Sequence, residues 1–401
     1  MTSIFRVCAL ASCVAILATG NAEAADKPGM IFHVLPADLP APYATPGVAN
    51  WSETVARPAN AKPEVPQGFS VSIFATGLSD PRWMTVAPNG DVFLAEAKAG
   101  KITLLRGGKA STFATGFDYP HGLALHDGAL YVGDREAVWR LAYTEGAMKP
   151  GARTRVTKDS FGGKSGHITR DIAFAPDGTL YVAIGSANNI AEEKPPRASV
   201  QKITADGRLQ TFASGLRNPV GIVFYPGTDD LYVTVNERDG YGDGLVPDYL
   251  TRIAQGDFLG WPYAYIGHHP DPDFGAKRPD LVARTKTPDL LFQSHSAPLG
   301  LVFYEGTQFP ASYKGDAFVA LHGSWNSAAP TGYKVVRVKF ANGRPVGGYE
   351  NFATGFWQSG TTPAQVWGRP AGLAVAKDGS LLIADDEGKT VWRVAYASRA
   401  P

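Results

Sequence analysis

The sequence predicts an all-β chain: a six-bladed β-propeller behind a non-repetitive N-terminal arm. Three observations carry this. One opening turn recurs six times after Gln67, Gly-containing tight turns follow it at a regular distance, and no stretch of useful length shows a helical period. The 401 residues include 45 Gly and 30 Pro, so the chain is long enough for a large core and rich in turns.

Residues 1–24 read as an export signal. Arg6 gives the positive start, Val7 to Thr19 the short apolar run, and Ala22-Glu23-Ala24 the small-residue cleavage site. Leu10-Ala11-Ser12-Cys13 resembles a lipoprotein box, but so little apolar chain precedes it that cleavage after Ala24 is the expectation. The run is too short for a membrane span, and the expected location is periplasmic or secreted. Both cysteines, Cys8 and Cys13, lie inside this signal, so the exported chain would hold no disulfide and no thiolate. Residues 25–66 are rich in Pro and Ala and read as an arm, either wrapped on the outside of the domain or flexible. Residues 67–401 form the propeller. A formal net charge of +1 argues against nucleic acid as a partner.

The six openers are Asp80-Pro81-Arg82-Trp83-Met84, Tyr119-Pro120-His121-Gly122-Leu123, Thr169-Arg170-Asp171-Ile172, Asn218-Pro219-Val220-Gly221-Ile222, Ala297-Pro298-Leu299-Gly300-Leu301 and Arg369-Pro370-Ala371-Gly372-Leu373. Asn89-Gly90, Asp127-Gly128, Asp177-Gly178 and Asp378-Gly379 mark hairpin turns with positive φ expected at both central residues. Tyr225–Thr228 and Glu305–Lys314 stand in the same place in the other two copies. An apolar strand follows each turn, for example Val92-Phe93-Leu94, Leu231-Tyr232-Val233 and Leu381-Leu382-Ile383. A further strand ends each copy, as in Val138-Trp139-Arg140-Leu141. Small antiparallel sheets repeated around an axis explain this pattern, and a sandwich leaves the recurring opener unexplained.

Loops entering the innermost strands from one side converge on the axis, so polar residues there share a destination. The openers bring Arg82, His121, His167 with Arg170, Arg217 with Asn218, His295, and Arg369; Arg238 and His322 follow second strands. Such a rim suits an anion with several carboxylates or phosphates. Each residue also has a plainer reading. Arg82 and Arg369 flank Pro and either serve the site or pair with surface acids; His121 and His295 are as readily structural; Arg170, beside Asp171, reads as scaffold. His167 and Arg217 are the hardest to explain as scaffold. The loop Asn236-Glu237-Arg238-Asp239-Gly240-Tyr241-Gly242-Asp243 offers carboxylates and carbonyls to a hard cation such as calcium, without the EF-hand spacing, or is simply solvated. Trp261 and Tyr263 either stack on a flat ligand or pack. Gly162-Gly163-Lys164-Ser165 lacks the spacing of a phosphate loop, and there is no haem-attachment motif.

Five motifs in order, Gly166-His167-Ile168-Thr169-Arg170, Gly215-Leu216-Arg217-Asn218-Pro219, Val235–Gly240, Gly260-Trp261-Pro262 and Leu321-His322-Gly323-Ser324-Trp325-Asn326, resemble the L-sorbosone dehydrogenase and pyranose dehydrogenase branch of the soluble glucose dehydrogenase family, which depends on pyrroloquinoline quinone (PQQ). The resemblance runs from about Pro66 to Val394. It implies His167 as general base, Arg217 beside the reactive quinone carbonyl, and Asn218, Arg369 and Arg82 as PQQ-binding. It also implies calcium held by main-chain carbonyls at the Arg238-Asp239 step. Arg238 stands where the glucose branch has Gln and His322 where it has Lys, so the cofactor is retained and glucose is put in doubt. The implied reaction is hydride transfer from a sugar, aldose or sugar-derived aldehyde, the last reacting as its hydrate, to PQQ, whose three carboxylates suit Arg82, Arg217, Arg238 and Arg369. Electrons would leave to an external acceptor. Two other readings stand beside it: a calcium-dependent lactonase-type hydrolase, which needs Glu, Asn and Asp converging on the axis, and a non-catalytic binding propeller.

Overall fold

The structure is a computed structural model that describes residues 26–397; the signal segment and both cysteines lie outside the described residues. The architecture is almost entirely β, with one six-residue helix, Pro279–Arg284, among the described residues. Six antiparallel sheets of four or five strands follow one another along the chain. Sheet 1 contains Pro81–Val86, Val92–Glu96, Lys101–Arg106 and Lys109–Thr115. Sheet 2 contains Leu123–His126, Ala129–Gly133, Val138–Ala142 and Arg153–Arg155, and sheet 3 Ile172–Phe174, Leu180–Ile184, Ser199–Ile203 and Leu209–Ser214. Sheet 4 contains Asn218–Phe224, Leu231–Asn236, Pro247–Ile253 and Leu290–Ser294. Sheet 5 is built on Pro298–Phe303, Ala317–Leu321, Lys334–Ala341 and Arg344–Ala353. Sheet 6 takes Pro370–Val375, Leu381–Asp385 and Thr390–Tyr396 from the end of the chain, and Phe69–Thr76 from its start.

Each first strand contacts the first strands of the sheets before and after it, and that of sheet 6 contacts that of sheet 1. The repeated glycine of the openers makes this approach possible. A Cβ on Gly122 would stand 2.6 Å from the Arg170 carbonyl, one on Gly221 2.5 Å from that of Leu299, one on Gly300 2.5 Å from that of Ala371, and one on Gly372 1.9 Å from that of Arg82. In each case the neighbour is the first strand of the next or a following sheet, so the motif encodes contact between inner strands.

The second strands are buried almost throughout rather than alternating. Val92–Glu96, Leu180–Ile184 and Ala317–Leu321 are buried at every position, because neighbouring sheets cover both faces. Fully burying a Val, Leu or Phe side chain contributes about 1.5–3 kcal/mol, so these runs are the main source of cohesion.

The turns differ in one respect from expectation. Both central residues have positive φ only in Asp127-Gly128, at 43° and 64°. In Asn89-Gly90, Asp177-Gly178 and Asp378-Gly379 the glycine alone does, at 94°, 82° and 83°. There the side-chain oxygen of Asn89, Asp177 or Asp378 accepts the backbone N–H two residues on, which stabilises the first turn residue without left-handed backbone.

The arm is tied to the sheets at several points. Ile31–Phe32 pairs with Arg344–Ala353 as a fifth strand of sheet 5, Asp243 N–H donates to Thr45 Oγ1, and Asn50 N–H donates to the Trp325 carbonyl. Glu53–Thr54 pairs in parallel with Gln365–Val366. Between the third and fourth strands of sheet 4, residues 254–289 form an excursion that carries the helix and a small hairpin, Ala264–Tyr265 with His269–Pro270.

Candidate active site

In an antiparallel pair the start of the first strand lies beside the end of the second. Residues at those two addresses in every sheet therefore face one end of the axis. A cavity of about 490 Å³ opens there. Its wall includes Arg82, His167, Arg217, Asn218, His322 and Arg369, contributed by five different sheets or the loops that enter them. Asp239 also lines it.

His167 sits in the loop before sheet 3. Its Nδ1 lies 2.9 Å from the Ser186 carbonyl and 3.0 Å from Ser186 Oγ. Ser186 Oγ donates its own proton to the Asn188 carbonyl, so both of these oxygens act as acceptors toward the ring. Nδ1 therefore carries the proton, and Nε2 keeps a free lone pair. Burial, then the charge of Arg217, lowers the pKa of His167 to about 3, so the ring is neutral at ordinary pH. The loop is braced by two buried arginines. Arg170 donates to the carbonyls of His167 and Thr169, and Arg197 to those of Gly162, Gly163, Ser165, His167 and Gly185. Arg170 is thus scaffold, and burial lowers its pKa to about 9.

Arg217 is buried with its donors engaged by Asn189 and the Glu237 carbonyl, and its Nη2 lies 2.7 Å from Asp239. Across the cavity Arg82 and His322 share one carboxylate, Asp386, which follows the second strand of sheet 6. His322 Nε2 lies 2.9 Å and 3.0 Å from its two oxygens. Burial alone would raise the Asp386 carboxyl, but His322 and Arg82 outweigh it and hold it well below the usual range. His322 is itself lowered to about 4, chiefly by burial and then by Arg369. Arg369 donates to the carbonyls of His322 and Gly323.

Arg238 departs from expectation. Its side chain is 0% exposed, and its guanidinium lies between Glu237 at 3.0 Å and Asp271 at 2.7 Å. It also donates to the carbonyls of Pro262 and Ala264, so it anchors the 254–289 excursion and does not line the cavity. Its side chain is therefore not one of the cations around the ligand space. Trp261 and Tyr263 are not in the wall either: the Trp261 indole N–H donates to the Asn189 carbonyl and the Tyr263 hydroxyl to Glu192. His295 is scaffold, its Nε2 donating to the Gly242 carbonyl and its Nδ1 accepting from Asn326. His121 is fully buried against Trp83 and outside the cavity wall.

The sequence reading did not single out Tyr119 or Trp51, which line the wall, nor Asp386, which stands behind it on Arg82 and His322. Trp51, from the arm, stacks on Trp325 with ring centroids 4.6 Å apart. Asp386 occupies the same repeat address as His322, directly after a second strand, and that address was a usable signal.

Three polar atoms of wall residues are buried without partners, Arg82 Nε, Asn218 Oδ1 and Glu237 Oε1. A buried donor or acceptor left unmade costs about 1–3 kcal/mol, so a wall holding an orphaned donor and two orphaned acceptors is built for a polar ligand. Together with three guanidinium groups, this fits a flat, polycarboxylated cofactor such as PQQ. For a metal, no cluster of three or more His, Cys, Asp or Glu side chains is present among the described residues. The carboxylates of Asp239 and Asp248 already accept from Arg217, Asn326 and the N–H groups of Glu237 and Ala297. Burial raises Asp248 to about 8. A cation at this loop would thus rely on main-chain oxygens.

Comparison with known proteins places the fold. A protein from Borreliella burgdorferi, of uncharacterized function, is 27% identical over 351 residues, covering 83% of this chain and 90% of its own length. A PQQ-dependent pyranose dehydrogenase from Coprinopsis cinerea is 26% identical over 332 residues, covering 68% of this chain; the match spans only 44% of that longer protein. Among solved structures, the holo form of the PQQ domain of the Coprinopsis cinerea pyranose dehydrogenase superposes with a TM-score of 0.70 at 20% identity, covering 86% of this chain and 100% of that one. The calcium structure of the Trichoderma reesei family AA12 enzyme gives 0.68 at 20% identity, with 84% and 97% covered. The fold is thus the propeller-like one of PQQ-dependent sugar dehydrogenases. The TrAA12-like family model matches residues 63–243 and 278–397, and the gap falls largely on the excursion in sheet 4. The chain belongs to the TrAA12-like family.

Proposed function

We propose that this protein is a PQQ- and calcium-dependent oxidoreductase that oxidises a sugar, an aldose or a sugar-derived aldehyde of the sorbosone type. Its six sheets are then the blades of a six-bladed propeller. The observation that carries the reading is the convergence of Arg82, Arg217 and Arg369 from separate sheets on one cavity that also holds a histidine with a free Nε2. Bound PQQ would supply the two-electron acceptor for the hydride that leaves the substrate carbon, and calcium would supply Lewis-acid polarisation there.

The residues divide the remaining work. Neutral His167 accepts the substrate hydroxyl proton on Nε2, and Ser186 keeps the ring in the tautomer that allows this. Arg217 places a fixed positive charge close enough to depress His167, and it stabilises negative charge developing nearby. Arg82, Asn218, His322 and Arg369 would hold the carboxylates of the cofactor. The main-chain oxygens of Arg238 and Asp239 would hold calcium. The arm wall at Trp51 and the Trp325 indole limit access of water.

We also propose export to the periplasm or medium after cleavage at Ala24, with electrons delivered to a separate acceptor. The lactonase-type alternative is disfavoured because each carboxylate that lines the cavity, Glu237, Asp239 and Asp248, is already engaged by an arginine or by backbone N–H groups. The test is reconstitution of the exported protein with PQQ and calcium, followed by absorbance titration and dye reduction with a panel of sugars and sugar aldehydes. Failure to bind PQQ ends the proposal.

A further inference from the structure

A second cleft, of about 420 Å³, adjoins the cofactor cavity. The two share one wall made of Asp239, Trp325 and Asn326. Their linings differ in character. The inner cavity is ringed with arginine and histidine; no Arg, Lys or His is among the residues that line the outer cleft. Its far side is the arm, at Gly47 and Val48, and its floor includes Asn189.

Both amides keep hydrogen-bonding capacity. Asn326 spends its N–H groups on Asp239 and His295, which leaves its carbonyl oxygen as an acceptor. Asn189 Oδ1 accepts from Arg217 and Asp239 N–H while Nδ2 donates once, to the Asp239 carbonyl, so a second N–H remains. The half-buried Trp325 indole is fixed by its stack on Trp51, and its carbonyl by Asn50. One aromatic wall, one spare donor, one spare acceptor and no cation match a neutral polyhydroxylated ring, with an apolar C–H face and a polar rim.

We propose that the outer cleft is a subsite for a second sugar ring, which makes the substrate class a di- or oligosaccharide. The inference rests on the sugar-oxidising reading above. A terminal ring whose reacting carbon reaches His167 passes the shared wall, and the next ring lies between Trp325 and the arm. Arm residues 47–48 thereby become specificity determinants for chain length.

The test uses Val48→Phe and Val48→Trp, which fill the cleft from a half-buried position on the arm, outside the sheets and outside the cofactor wall. In reconstituted holoenzyme, wild type should prefer a disaccharide over its monosaccharide by about tenfold or more in kcat/KM, and both variants should bring the ratio near one with monosaccharide turnover and PQQ titration unchanged. Calorimetry on the PQQ-free protein with a non-reacting reduced disaccharide should show binding in wild type that both variants abolish. A ratio near one in wild type, or one that the variants leave intact, overturns the subsite. If no sugar is turned over, the dehydrogenase reading fails on its own, and the calorimetry decides the subsite: binding that the variants remove retains it, and no binding overturns it.

Discussion

Replacing Asp386 with Asn removes a charge and keeps the shape, at the point where two candidate cofactor ligands meet. The Asp386 side chain is 5% exposed, against 11% for Arg82 and 15% for His322, so water screens the group poorly. Breaking a buried pair by removing one partner costs about 3–5 kcal/mol, which in a chain of this size lowers Tm by roughly 4–6 °C. The folded carboxyl titrates below its unfolded value, so its contribution is complete above about pH 4 and is lost only as pH falls further. The gap between wild type and Asp386→Asn should therefore stay constant from pH 5 to 8. Saturating PQQ should narrow it, because a ligand carboxylate takes the place that Asp386 leaves, and PQQ affinity in the variant should equal or exceed that of wild type. Thermal melts with and without PQQ, paired with absorbance titration, measure both. An unchanged Tm without ligand, or a tenfold weaker PQQ affinity, refutes the reasoning.

His167→Gln should lower kcat by about 10²- to 10⁴-fold, the usual worth of a general base, while PQQ titrates as in wild type; weaker PQQ binding with unchanged kcat would make His167 a cofactor ligand instead. His167 is lowered to about 3 from an ordinary value near 6.5, so in ligand-free protein its ring should remain neutral, protonated on Nδ1, down to about pH 5; nitrogen NMR shifts that titrate between pH 6 and 7 contradict this. Arg238→Met should cost about 3–5 kcal/mol by stranding Glu237 and Asp271, with PQQ affinity of the folded fraction unaltered; a selective loss of PQQ binding returns Arg238 to the cavity. PQQ affinity should rise at least about tenfold with saturating calcium, and calcium affinity by the same factor with PQQ, read by titrating each in the presence of the other.

The repeat made the sheets and much of the cavity wall readable, because in this architecture an address along the repeat is also a place in space. Arg82, Arg217, Asn218, His322 and Arg369 were found from that address alone, and the structure brings them to one cavity. What the address does not contain is the direction of a side chain. Arg217 and Arg238 belong to the same sheet and end of the axis, yet Arg238 turns outward because Asp271, in an excursion 33 residues later, meets it there. No local pattern announces that partner. Asp385 and Asp386 show the same limit at closer range. Asp385 accepts from the N–H groups of Arg369 and Gly388 and from Trp392, while its neighbour faces Arg82 and His322. Trp51 was illegible for another reason: it lies in the arm, outside the repeat, and only the pairing of that arm with sheet 5 and with Gln365–Val366 carries it to the rim.

The pairing of these charges changes how the cavity must treat an anion, and it supplies the ground for the calcium prediction. A count of guanidinium groups makes the wall strongly basic. In the folded protein Arg82 is offset by Asp386 and Arg217 by Asp239, while His167 and His322 are held neutral. Arg369 has only carbonyl partners, so it remains as the one uncompensated cation among the residues expected to bind the cofactor. A ligand with three carboxylates then enters a site that is nearly neutral, and two of its charges lack a match. A divalent cation beside it restores the balance, which is why PQQ and calcium should bind with mutual reinforcement rather than independently. Equal PQQ affinity with and without calcium would mean that the ligand displaces Asp386 or Asp239 from its arginine instead, and Asp386→Asn would then strengthen PQQ binding to the extent that calcium fails to.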